Sequence, residues 1–153
     1  MNSPKYLLLL PAALLLACNK DNDVKPNQVP EAVRSSLAAR FPSTTDLEWK
    51  KVGSDYEADF EVNTVDHDAL FTAAGELVKY KLDIPTTELP EAVRTAISQQ
   101  YSGLTIDDAE RLHISGSEAV LYQVELDRPG NDPDHHLVFA ADGQQPAQPA
   151  YWD

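Results

Sequence analysis

The sequence predicts an α+β fold made of two tandem helix-plus-antiparallel-strand repeats, with the helices packed on one face of the sheet. Three observations predict it. Pro30-Glu31-Ala32-Val33-Arg34 recurs as Pro90-Glu91-Ala92-Val93-Arg94, an offset of 60. The run from Asp66 to Gly75 recurs from Asp134 to Gly143 at an offset of 68, with Phe60-Glu61-Val62 matching Val124-Glu125-Leu126 at 64 in between. Each recurrence brackets segments in which apolar and polar residues alternate, the pattern of half-buried strands. The offset grows in steps, as it does when a loop lengthens between paired elements, and Arg128-Pro129-Gly130-Asn131-Asp132-Pro133 is the inserted turn.

The elements follow in chain order. Met1 to Lys5 carries one positive charge and no acid, and Tyr6 to Leu16 is an almost unbroken apolar run. That is a signal-peptide pattern, and the run is shorter than the roughly 20 apolar residues that span a bilayer. It ends in Leu15-Leu16-Ala17-Cys18, which resembles the lipobox of bacterial lipoproteins. The resemblance implies cleavage before Cys18, lipid on its thiol and an acyl chain on its new amino group. Two chains are what stable anchoring needs, at about 0.8 kcal/mol per buried CH₂. Cys18 is the only cysteine, so no internal disulfide is available.

Residues 18–28 read as a lipidated tether, polar and able to reach roughly 30 Å if extended. Asn19 follows the cysteine where an aspartate would signal inner-membrane retention, so an outer-membrane lipoprotein facing the periplasm or the cell surface is expected. Lys20-Asp21-Asn22-Asp23 also resembles a surface-export signal, although Asn22 separates its acids; a plain solvated tether accounts for it equally well.

The domain proper is expected over 29–145, as repeats 29–84 and 89–145. Each opens with a helix whose apolar stripe has a spacing of four: Val29, Val33, Leu37 and Phe41, then Leu89, Val93, Ile97 and Tyr101. Pro30 and Pro90 suit the first helical position, and Glu31 and Glu91 complement the positive end of the dipole. Pro42 and Ser102-Gly103 stop the helices. Strands follow at Asp46–Val52, Tyr56–Val62, the Phe71 segment and Val78–Ile84, and again at Glu110–Ser115, Val120–Leu126 and the Phe139 segment. Gly53-Ser54-Asp55 and Ser115-Gly116-Ser117 read as hairpin turns. Leu121 and Ala119 make the outer face of the second-copy strand less polar than that of the first. One copy of about 60 residues buries only a marginal core, so the two are expected to pack as a unit. Residues 146–153, with Pro146, Pro149, Tyr151 and Trp152, are expected to be an extended tail, either docked on the body or loose.

With the repeat laid out, the chain resembles the PepSY-like, beta-lactamase-inhibitor-like domain family of exported bacterial proteins. The resemblance lies in Val29-Pro30-Glu31-Ala32-Val33, Arg40-Phe41-Pro42, Phe71-Thr72-Ala73-Ala74-Gly75-Glu76, Leu89-Pro90-Glu91-Ala92-Val93, Tyr101 and Phe139-Ala140-Ala141-Asp142-Gly143. It covers roughly 29–145. It implies a module that binds another protein, inhibition of a peptidase or hydrolase being one mode, and it carries no catalytic motif. Ser102-Gly103 departs from the commoner Pro-Gly at the helix exit.

Composition narrows the function. Loss of residues 1–17 leaves 136 residues with 11 basic and 25 acidic side chains, a charge of −14. Such a chain lacks the clustered Lys and Arg that nucleic acid requires, and anionic headgroups repel it, so any membrane contact runs through Cys18. No GxSxG, HExxH, Walker-type loop or GxGxxG occurs, and no enzyme or cofactor is expected. Glu57, Asp59 and Glu61 fall on one strand face about 7 Å apart. They suit a basic protein partner, or Ca²⁺ with added oxygens, or are the wet side of the sheet paired with Lys79 and Lys81. His67 between Asp66 and Asp68, and His135-His136 after Asp134, hold equivalent places; imidazole and carboxylate can bind zinc, and solvated strand starts use the same residues. Trp49, Tyr56, Tyr80 and Tyr122 read as core. Trp152 is the least committed aromatic and, if exposed, an anchor for a partner. The expected function is a membrane-anchored, non-enzymatic binding module of the cell envelope; the alternative is a small-ligand or metal-cation binding lipoprotein.

Overall fold

A computed structural model of the chain describes residues 22–130 and 132–153. The signal segment 1–17, Cys18 and the start of the tether lie outside the described residues, as does Asn131 of the inserted turn. No helix among the described residues is long and apolar enough to cross a membrane.

Helix α1 (Glu31–Arg40) is followed by strands β1 (Thr45–Val52), β2 (Asp55–Val62), β3 (Val65–Phe71) and β4 (Leu77–Asp83). Helix α2 (Glu91–Gln100) is followed by β5 (Thr105–Ile114), β6 (Val120–Asp127) and β7 (His135–Ala140). The seven strands form one antiparallel sheet in sequence order, β1 to β7. The fold is α+β.

Both helices lie on the same face. The stripe of α1 buries Val33 and Leu37 against Trp49, Ala58, Phe60, Ala69 and Phe71. That of α2 buries Val93 and Ile97 against Ala109, Val124, Leu126 and Phe139. The strand register runs Trp49–Ala58–Ala69–Tyr80–His113 across β1 to β5, so these side chains share a face by the two-residue period of a strand. Val29 and Leu89 are buried just ahead of their helices, and Phe41 and Tyr101 close the stripes at the exits. Pro30 and Pro90 stand one residue earlier than expected. Their ψ near 142° is extended, which makes them N-caps, and the Pro30 carbonyl accepts from Val33 and Arg34.

Several local features occur twice along the chain. A single turn of 3₁₀ helix precedes each α-helix, at Pro26–Gln28 and Thr86–Glu88. Bulges interrupt β1 between Thr45 and Glu48 and β5 between Ile106 and Asp108. The second bulge carries β5 five residues further back than the alternation beginning at Glu110 predicts, because Asp107-Asp108 breaks that alternation. Gly75 and Gly143 sit with φ near +85° against the backbone of Ala32 and Ala92; a Cβ on either would lie 2.6 Å from that residue's carbonyl oxygen. Only glycine fits so close an approach.

Two differences from the expected organisation concern the ends. From Asn22 onward the segment expected as a tether is paired: Asn22 accepts from Lys51 N–H, Val24 donates to Trp49, and Asp23 bridges Lys50, so residues 22–24 lie along the open edge of β1. Val24 also packs against the α1 core. At the other end, among the described residues, no strand follows β7 in the place that β4 holds after β3. Pro146 and Pro149 lack the N–H a ladder requires, and Gln144 to Asp153 leaves β7 and crosses the helix-free face instead.

Candidate functional site

The helix-free face is where polar and titratable groups converge. Alternation brings Glu57 from β2, Asp68 from β3, Lys79 and Lys81 from β4, Glu110 and Leu112 from β5, Leu121 and Gln123 from β6, and Val138 from β7 to this side. Leu112, Leu121 and Val138 form an apolar patch on what would otherwise be a wet face, and Trp152 covers it. The weaker polarity seen around Leu121 in the sequence is the signal of that patch.

Trp152 is 8% exposed. Its backbone N–H donates to Gln123 Oε1 at 2.9 Å, and Gln123 Nε2 donates to its carbonyl at 2.9 Å. Lys81 Nζ donates to the same carbonyl at 2.9 Å. The indole Nε1–H donates to Glu57 Oε2 at 2.9 Å, and Lys79 Nζ lies 4.0 Å from the indole centroid. Beside it Tyr151 stacks on His136 at 4.5 Å. Trp152 is therefore docked on the body and buried in this structure. The apolar patch and four polar groups on the chain's own sheet take it up.

Beneath the indole, Gln123 Nε2 also donates to Glu110 Oε2 at 2.6 Å, and Lys81 pairs with Glu110 at 2.8 Å and Asp68 at 3.5 Å. Burial works against the Lys81 charge, but the bond to Glu110, with Asp68 behind it, outweighs burial and holds the ammonium above the usual lysine range. Lys79 goes the other way, lowered by burial although Glu57 opposes the shift. Burial lifts the Asp68 carboxyl to about 6 against the pull of Lys81. Asp83 is also raised to about 6, by burial and then by the charges of Asp108, Glu110 and Asp66. Asp83, Asp108 and Glu110 bring one carboxylate oxygen each within 4.8 Å of one another. Glu110 in that group is already engaged by Lys81 and Gln123.

The acidic stripe is not uniformly wet. Glu57 is 6% exposed under the tail, while Asp59 and Glu61 are half-buried. The cation opposite the stripe is Lys50, 3.8 Å from Glu57 and 3.7 Å from Asp59, because β3 stands between β2 and the lysines of β4. The histidines do not come together. His67 stacks on Phe60 on the helix face, with Nδ1 2.8 Å from the Val65 carbonyl oxygen. His135, on the same face, sits edge-on to Tyr101 and contacts the Arg128 guanidinium, a cation in a place where a metal would need room. His136 is on the opposite face, 3.5 Å from Glu125 and 3.7 Å from Asp153. Trp49 and Tyr56 are core, as their alternation implied, and Tyr80 and Tyr122 pack against the two cores. Gln123, fully buried, was not legible as a site residue, since one glutamine on an outer strand face carries no signal by itself.

Two surface grooves lie elsewhere. One of about 530 Å³ runs between α2 and the turn at Asp142–Gln144, and one of about 400 Å³ lies between Val24–Pro26 and Leu47–Trp49. Neither holds a residue singled out from the sequence as a site.

A helical layer on one face of a sequentially ordered antiparallel sheet defines a class of small α+β domain. The chain belongs to the PepSY-like, beta-lactamase-inhibitor-like family, whose model matches residues 15–79 and 54–144. Solved structures share the fold. A protein of Bacteroides eggerthii described as periplasmic is 21% identical over 80% of this chain and 88% of its own, with a TM-score of 0.71. A DUF2874 family protein of Bacteroides uniformis is 23% identical over 76% and 85%, at 0.69. A BLIP-like protein of Bacteroides fragilis is 21% identical over 79% and 86%, at 0.65. No protein of curated function matches the sequence.

Proposed function

We propose that the chain is a non-enzymatic binding module of the bacterial cell envelope, held to the outer membrane by lipid on Cys18, whose helix-free sheet face takes up a segment of another envelope or secreted protein. The observation that carries this reading is that the face already receives a polypeptide. Gln123, Lys81 and Glu57 grip both the backbone and the side chain of Trp152. A family described as inhibitor-like is consistent with recognition without chemistry, and restraint of a peptidase is one form it would take. The periplasmic description of the Bacteroides eggerthii neighbour agrees with an envelope address.

We read the domain as two copies of one unit, supported by the matched glycines on Ala32 and Ala92 and by the paired bulges. Duplication of a unit whose own core is marginal gives a continuous sheet broad enough to offer a face.

Affinity capture tests the function. The lipid-free chain from Asn19 onward is immobilised and exposed to native envelope extract, beside a variant carrying Asp59→Lys and Glu61→Lys. Enrichment of one protein by the first and its loss with the second supports the reading and places the partner over β2. No enrichment at low salt, together with a melting temperature raised by millimolar Ca²⁺ or micromolar Zn²⁺, replaces it with cation binding. The anchor is checked separately: Cys18→Ala abolishes metabolic labelling with palmitate and releases the chain from the membrane fraction.

A further inference from the structure

The contacts around Trp152 are those of a receptor for one residue type, and the receptor is built on strands while its occupant is not. Gln123 uses both ends of its amide on the two backbone groups of Trp152, which requires an extended occupant. Glu57 accepts from the indole N–H, a donor that Phe and Leu lack. Lys79 lies over the ring face, and Leu112, Leu121 and Val138 line the apolar floor. Glu110 and Asp68 hold Lys81, and Glu110 holds Gln123, so the polar groups are fixed from below by sheet residues and not by the tail. The occupant arrives on the segment after Gln144, which has no helix or strand and is pinned otherwise by a few surface contacts, such as Gln145 to the Tyr101 hydroxyl at 2.9 Å.

We propose that the helix-free face carries a tryptophan-reading peptide site, which Trp152 fills in cis and which an extended segment of a partner protein bearing an exposed tryptophan occupies by displacing the tail. This rests on the binding-module reading and names its partner by chemistry. The tail acts as a competitor attached to the receptor. A tethered competitor works at an effective concentration on the order of millimolar, and partner affinity falls by the fraction of time the site is open.

The test uses the whole mature chain and two acetylated peptides. One is the tail sequence Pro-Ala-Gln-Pro-Ala-Tyr-Trp-Asp and the other is Ser-Thr-Ser-Trp-Ser-Thr, in which only the tryptophan is shared. Calorimetric titration is made into wild type, Trp152→Ala and Trp152→Phe, each verified as folded by circular dichroism. Trp152→Ala removes the competitor and leaves both helix-face cores untouched; Trp152→Phe keeps a ring but loses the indole donor, and serves if the alanine variant does not fold. The expected result is saturable binding of both peptides to Trp152→Ala, at least about tenfold weaker binding to wild type and an intermediate value for Trp152→Phe. Adding Gln123→Ala to the variant, or replacing the peptide tryptophan by alanine, abolishes binding. Absence of binding to folded Trp152→Ala, equal binding to variant and wild type, or binding of the tail peptide alone each overturns the proposal. Envelope capture that succeeds while the peptides fail leaves the binding module standing and removes only its tryptophan partner.

Discussion

The indole N–H of Trp152 donates to Glu57 Oε2 at 2.9 Å across 95 residues of chain. It joins the last strap of the protein to the second strand of the sheet and buries both side chains. Trp152→Ala removes a large buried ring and this hydrogen bond, and is expected to cost about 3 kcal/mol in urea unfolding. Trp152→Phe keeps most of the ring and is expected to cost about 1 kcal/mol, the usual scale of one hydrogen bond. Equal stability of wild type and Trp152→Ala would mean the strap is not docked in solution.

The chain has two tryptophans, and Trp49 is the other. Its indole N–H is buried with no acceptor among the described residues, so ring area is gained at the expense of an unpaired donor. Trp49→Phe is therefore expected to change stability by no more than about 1 kcal/mol, since relief of the donor offsets the smaller ring. The same variant leaves Trp152 as the sole indole fluorophore. Its emission should be blue-shifted in the native protein and move to the red when the strap is displaced.

Gly75→Ala and Gly143→Ala are expected to be severe and alike. Each forces a side chain into a positive φ and onto a helix carbonyl, which together cost about 2–4 kcal/mol. Gly53→Ala, also at positive φ but with nothing within 4 Å, should cost only about 1 kcal/mol. Thermal melts of the three variants check both the close approach and the equivalence of the two halves.

Asp68 and Asp83 titrate near 6 in the folded protein against 3.8 in a free chain. Between about pH 4 and 6 the folded state holds protons that the unfolded chain has released, so these groups lower stability as pH rises through that window and add no further change above it. Asp83→Asn removes the repulsion from Asp108, Glu110 and Asp66. It is expected to raise stability at pH 7 on the order of 1 kcal/mol after discounting for solvent screening, and to leave it unchanged at pH 4. A gain that is equal at both pH values would assign the effect to packing.

The helices and most strands were legible because their signals are local. Val33 and Leu37, or Tyr56, Ala58 and Phe60, declare a buried face by spacing alone. The site was legible only in its parts. Glu57 and Trp152 were both singled out, but as separate features, one on an acidic strand face and one on a tail either docked or loose, since nothing in the spacing of residues 95 apart says that they meet. Pro146 and Pro149 told that the tail is no strand, and did not tell which face it would cross. Lys50 in place of the β4 lysines as the partner of Glu57 and Asp59 follows from strand order, which alternation within a strand does not contain.

Strand order has a kinetic consequence. Every strand pairs only with its neighbours in sequence, so each ladder closes by a hairpin or, between β4 and β5, by the link that contains α2. Assembly by short loops is fast, because little loop entropy is lost before contacts form. The strap is the exception, since its seat is made of residues from β2, β4, β5, β6 and β7 and exists only once those strands are aligned. Refolding followed by Trp152 fluorescence in the Trp49→Phe protein should therefore lag the recovery of the far-ultraviolet dichroism. The interval between the two is a window in which the newly formed sheet face is bare and open to any other chain that reaches it first.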